Sequence, residues 1–319
     1  LAERLIPALV TMLEAAGQGV EEFGSRAGPL IDGLVDIVVA GADELFPLGE
    51  QLGAFFGDIV PNALVVEGLR IEFRASKDGR SEPNKCEVKV TNLAPASRAE
   101  LGTLPKRCAL EVGYGGRLRR LFVGDVSYAS HERAGVDWIT TLSIGDGSRA
   151  YRFARVNRAM AAGTTAIAAI REVAGAMGLQ LPAAVEQAPD LRRQFVQGVT
   201  LAGRAAEELT KLLRPYGLAW SIQDGELSIL DEISTRPGEA LVLDEAAGLV
   251  GSPTMAAPAK PGAKPVLSAR SLIYPELAPG RLLSLRSRTV RGQFRIESAT
   301  HEGCNLDGEM LTSIEAKPL

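Results

Sequence analysis

Hydrophobic and polar residues alternate along much of the chain, and this pattern predicts a protein built mainly from β-strands. Successive side chains of a strand point to opposite faces, so each such segment has one face that can be buried. In the first half of the chain the segments are 69–73, 86–90, 109–114, 119–126 and 138–144. Gly115-Gly116 separates two of them and predicts a hairpin turn.

Two stretches in the middle of the chain have helical spacing instead. Apolar residues recur every three to four positions after Thr164 and Thr165, either of which can cap a helix that ends at Gly178. A second helix is predicted from about Thr200 to Pro215.

The remainder of the chain returns to strands. Asp224-Gly225 between alternating apolar residues predicts a tight hairpin, whereas the proline-rich composition of 252–265 predicts a loop or linker. Further strands are predicted at 270–274, 281–287, 293–301 and 309–315.

Residues 1–58 have a different character. The spacing of Leu30, Leu34, Ile37 and Val38 favours helix, and frequent glycines divide the region into two or three short amphipathic helices. Their broad apolar faces need a packing surface. A helical extension folded onto the body and an arm docked on a partner are both open.

These patterns predict an α+β fold, mainly β, with four parts. An acidic helical segment covers 1–60, a first β-barrel-like domain 61–150, an α/β insert 151–235 and a second β-barrel-like domain 236–319.

Charge and cysteine content narrow the function classes. The net charge is −4, but residues 1–60 alone carry two basic and ten acidic residues. A strongly basic nucleic-acid binder is therefore excluded for the whole chain. Three widely spaced cysteines favour a reducing compartment over a disulfide framework. No apolar run reaches the roughly 18 residues of a membrane span.

Candidate chemistry is sparse, and we expect a protein that is not an enzyme and holds no metal or cofactor. The two histidines, His131 and His301, are predicted to face solvent in a turn and at a strand end. Cys304 lies near His301 and Asp307, but a zinc site needs about four ligands at recognisable spacing. We interpret Cys304 as a loop cysteine.

Two groups of arginines are the remaining candidates, as a channel lining or an interface. The first is Arg117, Arg119 and Arg120; the second is Arg286, Arg288, Arg291 and Arg295. Alternate strand positions share a face, so Arg286 and Arg288 should point the same way. Such faces could pass nucleic acid or meet acidic subunit surfaces, or could simply be solvated.

A series of short phrases, in order, resembles the baseplate hub proteins of phage tails and covers about residues 62–319. The phrases are Val65 to Phe73, Pro83 to Leu93, Leu121 to Val126, Asp137 to Thr140, Gly163 to Thr165, Gly217 to Gly225, Gly248 to Pro253, Leu277 to Gly280 and Gly292 to Ile296.

The resemblance implies a structural protein of the virion tail tip, made in the host cytoplasm. It implies a homotrimer whose six β-barrels match the sixfold tail tube or distal tail protein. A threefold spike or fibre protein would attach below, the tape-measure protein would end inside, and DNA would pass transiently through the ring during genome ejection.

Residues 1–60 depart from the hub pattern and resemble the C-terminal helices of tape-measure proteins. Two alternatives to the hub stay open at this point. One is a peptidoglycan-degrading enzyme, although no spare segment of enzyme size exists. The other is a cell-wall-binding module in which Trp220 holds a sugar on its aromatic face.

Overall fold

The computed structural model describes residues 33–41, 64–103, 106–115, 117–258, 262 and 264–319. Most of the helices predicted for 1–58 lie outside these residues. Within them, Gly33–Gly41 forms strand β1, so the helix predicted from Leu34, Ile37 and Val38 is wrong. The segment is rich in β-branched residues, and the edge of the strand at Lys106–Tyr114 pairs with all nine of its positions.

Six more strands build the first β-unit, and every strand predicted there is confirmed. They are β2 (Leu64–Val66), β3 (Ile71–Asp78), β4 (Lys85–Thr91), β5 (Lys106–Tyr114), β6 (Arg117–Ala134) and β7 (Asp137–Gly145). Helix α1 (Pro95–Leu101) begins at the proline that ends the segment after β4, because proline suits the first turn of a helix.

Strand β6 is much longer than the alternation predicted. It pairs with β5 up to Val126 and with β7 from Asp125 to Ala134, with an irregularity between Val126 and Tyr128. His131 therefore lies in a strand, and its Nδ1 is 3.1 Å from Thr140 Oγ1. The prediction of a solvent-facing turn histidine is wrong, because the strand continues past the end of its apolar alternation.

The insert mixes helices and two-stranded sheets. Its elements are α2 (Ser148–Phe153), β8 (Arg155–Met160), α3 (Ala166–Ala176), α4 (Ala183–Glu186), β9 (Val199–Arg204), α5 (Ala205–Leu213), β10 (Ala219–Gln223) and β11 (Glu226–Leu230), with 3-10 turns at Pro189–Arg192 and Arg214–Tyr216. Thr165 caps α3, and Gly178 follows it with a φ of 72°, as predicted. The second helix starts at Ala205 and not near Thr200, because residues 199–204 pair with β8.

The second β-unit contains β12 (Leu241–Asp244), β13 (Leu249–Ala256), β14 (Val266–Leu272), β15 (Leu282–Arg286), β16 (Arg291–Cys304) and β17 (Leu311–Pro318). The four predicted strands are confirmed, but the predicted 252–265 loop is partly wrong because β13 extends into it. Pro253 is tolerated there because β13 is an edge strand with a bulge between Val250 and Thr254.

One 13-stranded sheet runs through both β-units. They join where β16 pairs antiparallel with β3, from Ser298 opposite Asp78 to Cys304 opposite Glu72. Separate hydrophobic cores fill the first unit, the insert and the second unit. The mainly-β α+β fold is confirmed. The pairings among the described strands form an open path from β13 to β2, so they do not close either unit into a ring of its own.

No helix in the described part of the chain is long and apolar enough to cross a membrane.

Replacing Ile37 tests whether β1 belongs to the first core. Ile37 is completely buried among the residues of that core, so Ile37→Ala should lower the free energy of unfolding by about 2–5 kcal/mol. Val65 in the neighbouring strand β2 is 39% exposed, and Val65→Ala should change it by less than about 0.5 kcal/mol. Urea unfolding measures both. Equal effects would show that β1 does not pack on this core.

Candidate functional site

The first arginine group lies on β6, next to the β5–β6 turn. The Arg119 guanidinium forms an ion pair with Glu276, which lies between β14 and β15, so this residue ties the first unit to the second. Arg120 stands opposite the buried Glu111 in the β5–β6 register. Arg117 is exposed and forms no ion pair with the described residues.

The second group likewise contains both exposed arginines and arginines that bind other parts of the chain. Arg286 is the last residue of β15 and Arg288 lies in the turn that follows; both are exposed and flank the buried Ser287. Arg288 Nε is 3.1 Å from Glu245 Oε1. Arg295 is mostly buried, and it donates to the Asp231 carbonyl over 2.6 Å, which ties the end of the insert to β16. Arg295 is thus a structural residue.

Arg286 and Arg291 stand directly opposite each other on β15 and β16. Arg291 Nε donates to the Ser287 carbonyl over 2.9 Å, whereas Arg286 has no ion pair among the described residues. Like charges at opposite positions destabilise a sheet, so the Arg286–Arg291 pair is unfavourable within the chain.

The most constrained polar residues were not identified from the sequence. We call Lys77, Asn84, Asp146 and Asp224 the junction cluster. Lys77 lies beyond the predicted segment 69–73, but β3 extends past that segment and Lys77 is 2% exposed within it. Asp224 occupies the β10–β11 turn of the insert with a φ of 58°. The Asp-Gly turn signal was visible in the sequence, but nothing local indicates that a buried lysine would face it.

The ion pair between Lys77 and Asp224 compensates for the burial of the Lys77 ammonium group. Lys77 Nζ is 2.7 Å from each carboxylate oxygen of Asp224 and 5.7 Å from the centre of the Phe122 ring. Buried charges are strongly disfavoured unless they are paired. The turn of the insert is therefore held against the first unit by a two-pronged ion pair.

Asp146 holds the same turn from the other side. Its carboxylate accepts from the backbone N–H groups of Asp224 over 2.5 Å and Gly225 over 3.0 Å. Burial raises the pKa of Asp146 well above its ordinary value, and the nearby charge of Asp224 raises this pKa further. Asp146 directly precedes the insert, so the point where the chain enters the insert is tied to the tip of its last hairpin.

The side-chain amides of Asn84 and Gln223 add further hydrogen bonds between the insert and the first β-unit. Asn84 Nδ2 donates to the Ile222 carbonyl over 3.1 Å and to Gln223 Oε1 over 3.0 Å. Gln223 Nε2 in turn donates to the Asp78 carbonyl over 2.7 Å. These bonds join the β3–β4 turn to β10, so the insert is fixed to the sheet by directional contacts.

A cleft of about 320 Å³ lies beside this contact and is lined from all three parts of the chain. Its charged lining residues are Asp78, Arg80, Arg295, Glu297 and Glu315. Both signs are present, and Ser298 Oγ, which also lines the cleft, donates to Glu315 Oε2 over 3.2 Å.

The residues considered for chemistry occupy core positions. His301 is completely buried within β16, and its Nδ1 is 2.9 Å from Thr312 Oγ1. Burial, and then the charge of Lys77, lower the pKa of His301 to about 3, so the imidazole is neutral at physiological pH. The prediction of an exposed histidine is wrong, because β16 pairs on both sides at this position.

Cys304 is a buried residue at the end of β16, so its interpretation as a loop cysteine is also wrong. Within the described ranges, no group of three or more His, Cys, Asp or Glu residues could hold a metal ion. Trp220 is 1% exposed, its ring stacks on Tyr151 at 5.0 Å, and its Nε1 donates to Thr210 Oγ1 over 2.9 Å. It therefore presents no face to a sugar, which removes the basis of the cell-wall-binding alternative.

No protein-family model matches the sequence, and no curated protein matches it either. Solved structures do. The 43 kDa tail protein of prophage MuSo2 from Shewanella oneidensis superposes with a TM-score of 0.58 and 12% identity, over 89% of this chain and 96% of that one. The tail protein from Neisseria meningitidis MC58 superposes with a TM-score of 0.52 and 11% identity, over the same shares. The chain has the fold of phage tail proteins.

A third similar structure links this tail-protein fold to secretion. It is the E. coli c3393 protein, described as a component of the type VI secretion system with structural similarity to the T4 bacteriophage tail proteins gp27 and gp5. The TM-score is 0.52 at 14% identity, over 79% of this chain and 73% of that one. The predicted resemblance to tail hub proteins is thereby confirmed at the level of the fold.

The junction cluster generates a stability prediction. Lys77→Met leaves Asp224 without its cation and should lower the free energy of unfolding by about 3 kcal/mol. This is the low end for a broken buried pair, because the Asp224 side chain is 29% exposed. The double variant Lys77→Met, Asp224→Asn should lose less than Lys77→Met alone, since residue 224 is then no longer a carboxylate without its cation.

The matched control is Lys89→Met. The Lys89–Glu87 pair is exposed at 3.4 Å, so its loss should cost less than about 1 kcal/mol in urea unfolding. If Lys77→Met were as mild as this control, the ion pair would not hold the insert to the sheet.

Proposed function

We propose that this protein is a structural hub at the distal end of a phage tail or a related injection device. Three copies form a ring between the tail tube or distal tail protein above and a spike or fibre protein below. The tape-measure protein ends inside the ring, and DNA passes through it during ejection. The proposal places the protein in the virion.

The observation that carries the proposal is the single sheet shared by two β-units, in a fold that matches tail proteins over nearly their whole length. Three chains with two units each supply six similar units, which suits a sixfold tube. The β3–β16 pairing keeps the two units of one chain in a constant relation, as a component that transmits force must. Closed rings also satisfy strand edges that a free monomer exposes.

The mass of the full-length chain in solution tests the ring. Multi-angle light scattering should give three times the mass of one chain, independent of concentration over a tenfold range. The full chain is needed because β1 belongs to the sheet and a truncation at residue 62 would remove it. A single-chain mass both in solution and in the presence of the purified tail tube protein would refute the trimeric hub.

We further propose that Arg117, Arg286 and Arg291 face a partner or the channel, since they are exposed and form no ion pair with the described residues, whereas Arg119, Arg288 and Arg295 do. Arg286 stands opposite Arg291 on one side and Asp244 on the other, so Arg286→Gln removes a repulsion and an attraction together and should change the free energy of unfolding by less than about 0.5 kcal/mol. Tail assembly or genome ejection should nevertheless fall, as scored by particle counts and infectivity.

Thr289→Ala is the control, an exposed residue in the same β15–β16 turn without charge. Unchanged assembly and infectivity with Arg286→Gln would show that this arginine face is merely solvated.

A further inference from the structure

We infer that β1 is exchanged between copies, so that Gly33–Gly41 of one protomer pairs with β5 of the next. The inference deepens the proposed trimer and rests on it. It concerns which strand fastens the ring.

The outer edge of β5 must be paired with another strand. Cys108, Leu110 and Val112 of β5 are completely buried, and the residues between them are buried as well. β1 stands opposite all nine positions of β5, from Gly33 opposite Tyr114 to Gly41 opposite Lys106. Without β1, β5 would present a long apolar edge, which is a site of unspecific strand pairing.

The connection between β1 and β2 is much longer than the pairing of the two strands requires. The two strands are antiparallel neighbours with only three register pairs, Ile37 to Val39 against Leu64 to Val66. Neighbours of this kind are normally joined by about two to five residues. Here residues 42–63 lie between them, a stretch of 22 residues.

This length fits a strand that reaches another subunit. At about 3.3–3.6 Å per extended residue, 22 residues span up to about 75 Å. Connections longer than about 12–15 residues are uncommon in compact domains unless they serve a function. Strand exchange forms the same β1–β5 contacts between chains and so joins protomers without any new surface.

A disulfide introduced by a single substitution shows whether the β1 that pairs with β5 belongs to the same chain or to another. Val39 is the register partner of Cys108, so Val39→Cys places two thiols opposite each other on adjacent strands, at a separation that suits a disulfide. After mild oxidation, a denaturing gel without reductant should show two-chain and three-chain species. A disulfide found only within single chains, by peptide mapping, would overturn the exchange.

Two control variants establish that the crosslink is the intended one. Val39→Cys combined with Cys108→Ala should give no multi-chain species. Val35→Cys faces Val112 in the register and has no thiol opposite it, so it should give none either.

A second variant does not depend on disulfide chemistry. Residues 42–63 are replaced by a four-residue turn, which forces β1 to pair within its own chain. We expect a folded protein whose mass falls from three chains to one. Retention of the trimer would overturn the inference.

The outcomes also separate this inference from the hub itself. A wild-type trimer with only intrachain crosslinks leaves the hub intact and refutes the exchange. A wild-type monomer, in solution and with the tube protein, refutes both.

Discussion

The buried ammonium of Lys77 is the constraint on which the arrangement of the three parts depends. Its backbone stands opposite Ala299 of the second unit, and its side chain binds Asp224 of the insert. A lysine that is 2% exposed must have a countercharge close by. The insert turn therefore has one position in which the cluster is satisfied, and Asp146 fixes the same turn through its backbone.

The sheet and the insert are held by different physics. The two β-units share backbone hydrogen bonds along β3 and β16, so their relation follows from strand register. The insert has its own hydrophobic core and adjoins the sheet mainly through polar groups. The register of β3 against β16 cannot shift by one residue without turning every side chain to the other face. The polar contact between the insert and the sheet, in contrast, can be broken by changing a single residue. The sheet therefore sets the relation of the two β-units, whereas the position of the insert depends on the junction cluster.

The tail-protein fold persists here at sequence identities of 11–14%. Such divergence is compatible with one fold, since many sequences can keep the alternation and the turn chemistry on which the strands depend. The arginines of the two groups have different roles within the fold. Arg119 and Arg295 connect parts of the chain, whereas Arg286 and Arg291 stand opposite each other at the exposed end of the β15–β16 hairpin.

The sequence by itself determined the mainly-β class, nine of the strands, the capped helix α3 and the Asp224-Gly225 hairpin. These depend on local periodicity and turn chemistry, which each segment carries alone. Tertiary structure decided the rest. β1 is a strand because β5 offers an edge, against a helical spacing in its own residues. His301 and Lys77 are buried because β16 and β3 pair across 220 or more positions of sequence. Which charge meets which partner depends on that pairing, and no local pattern of residues encodes it.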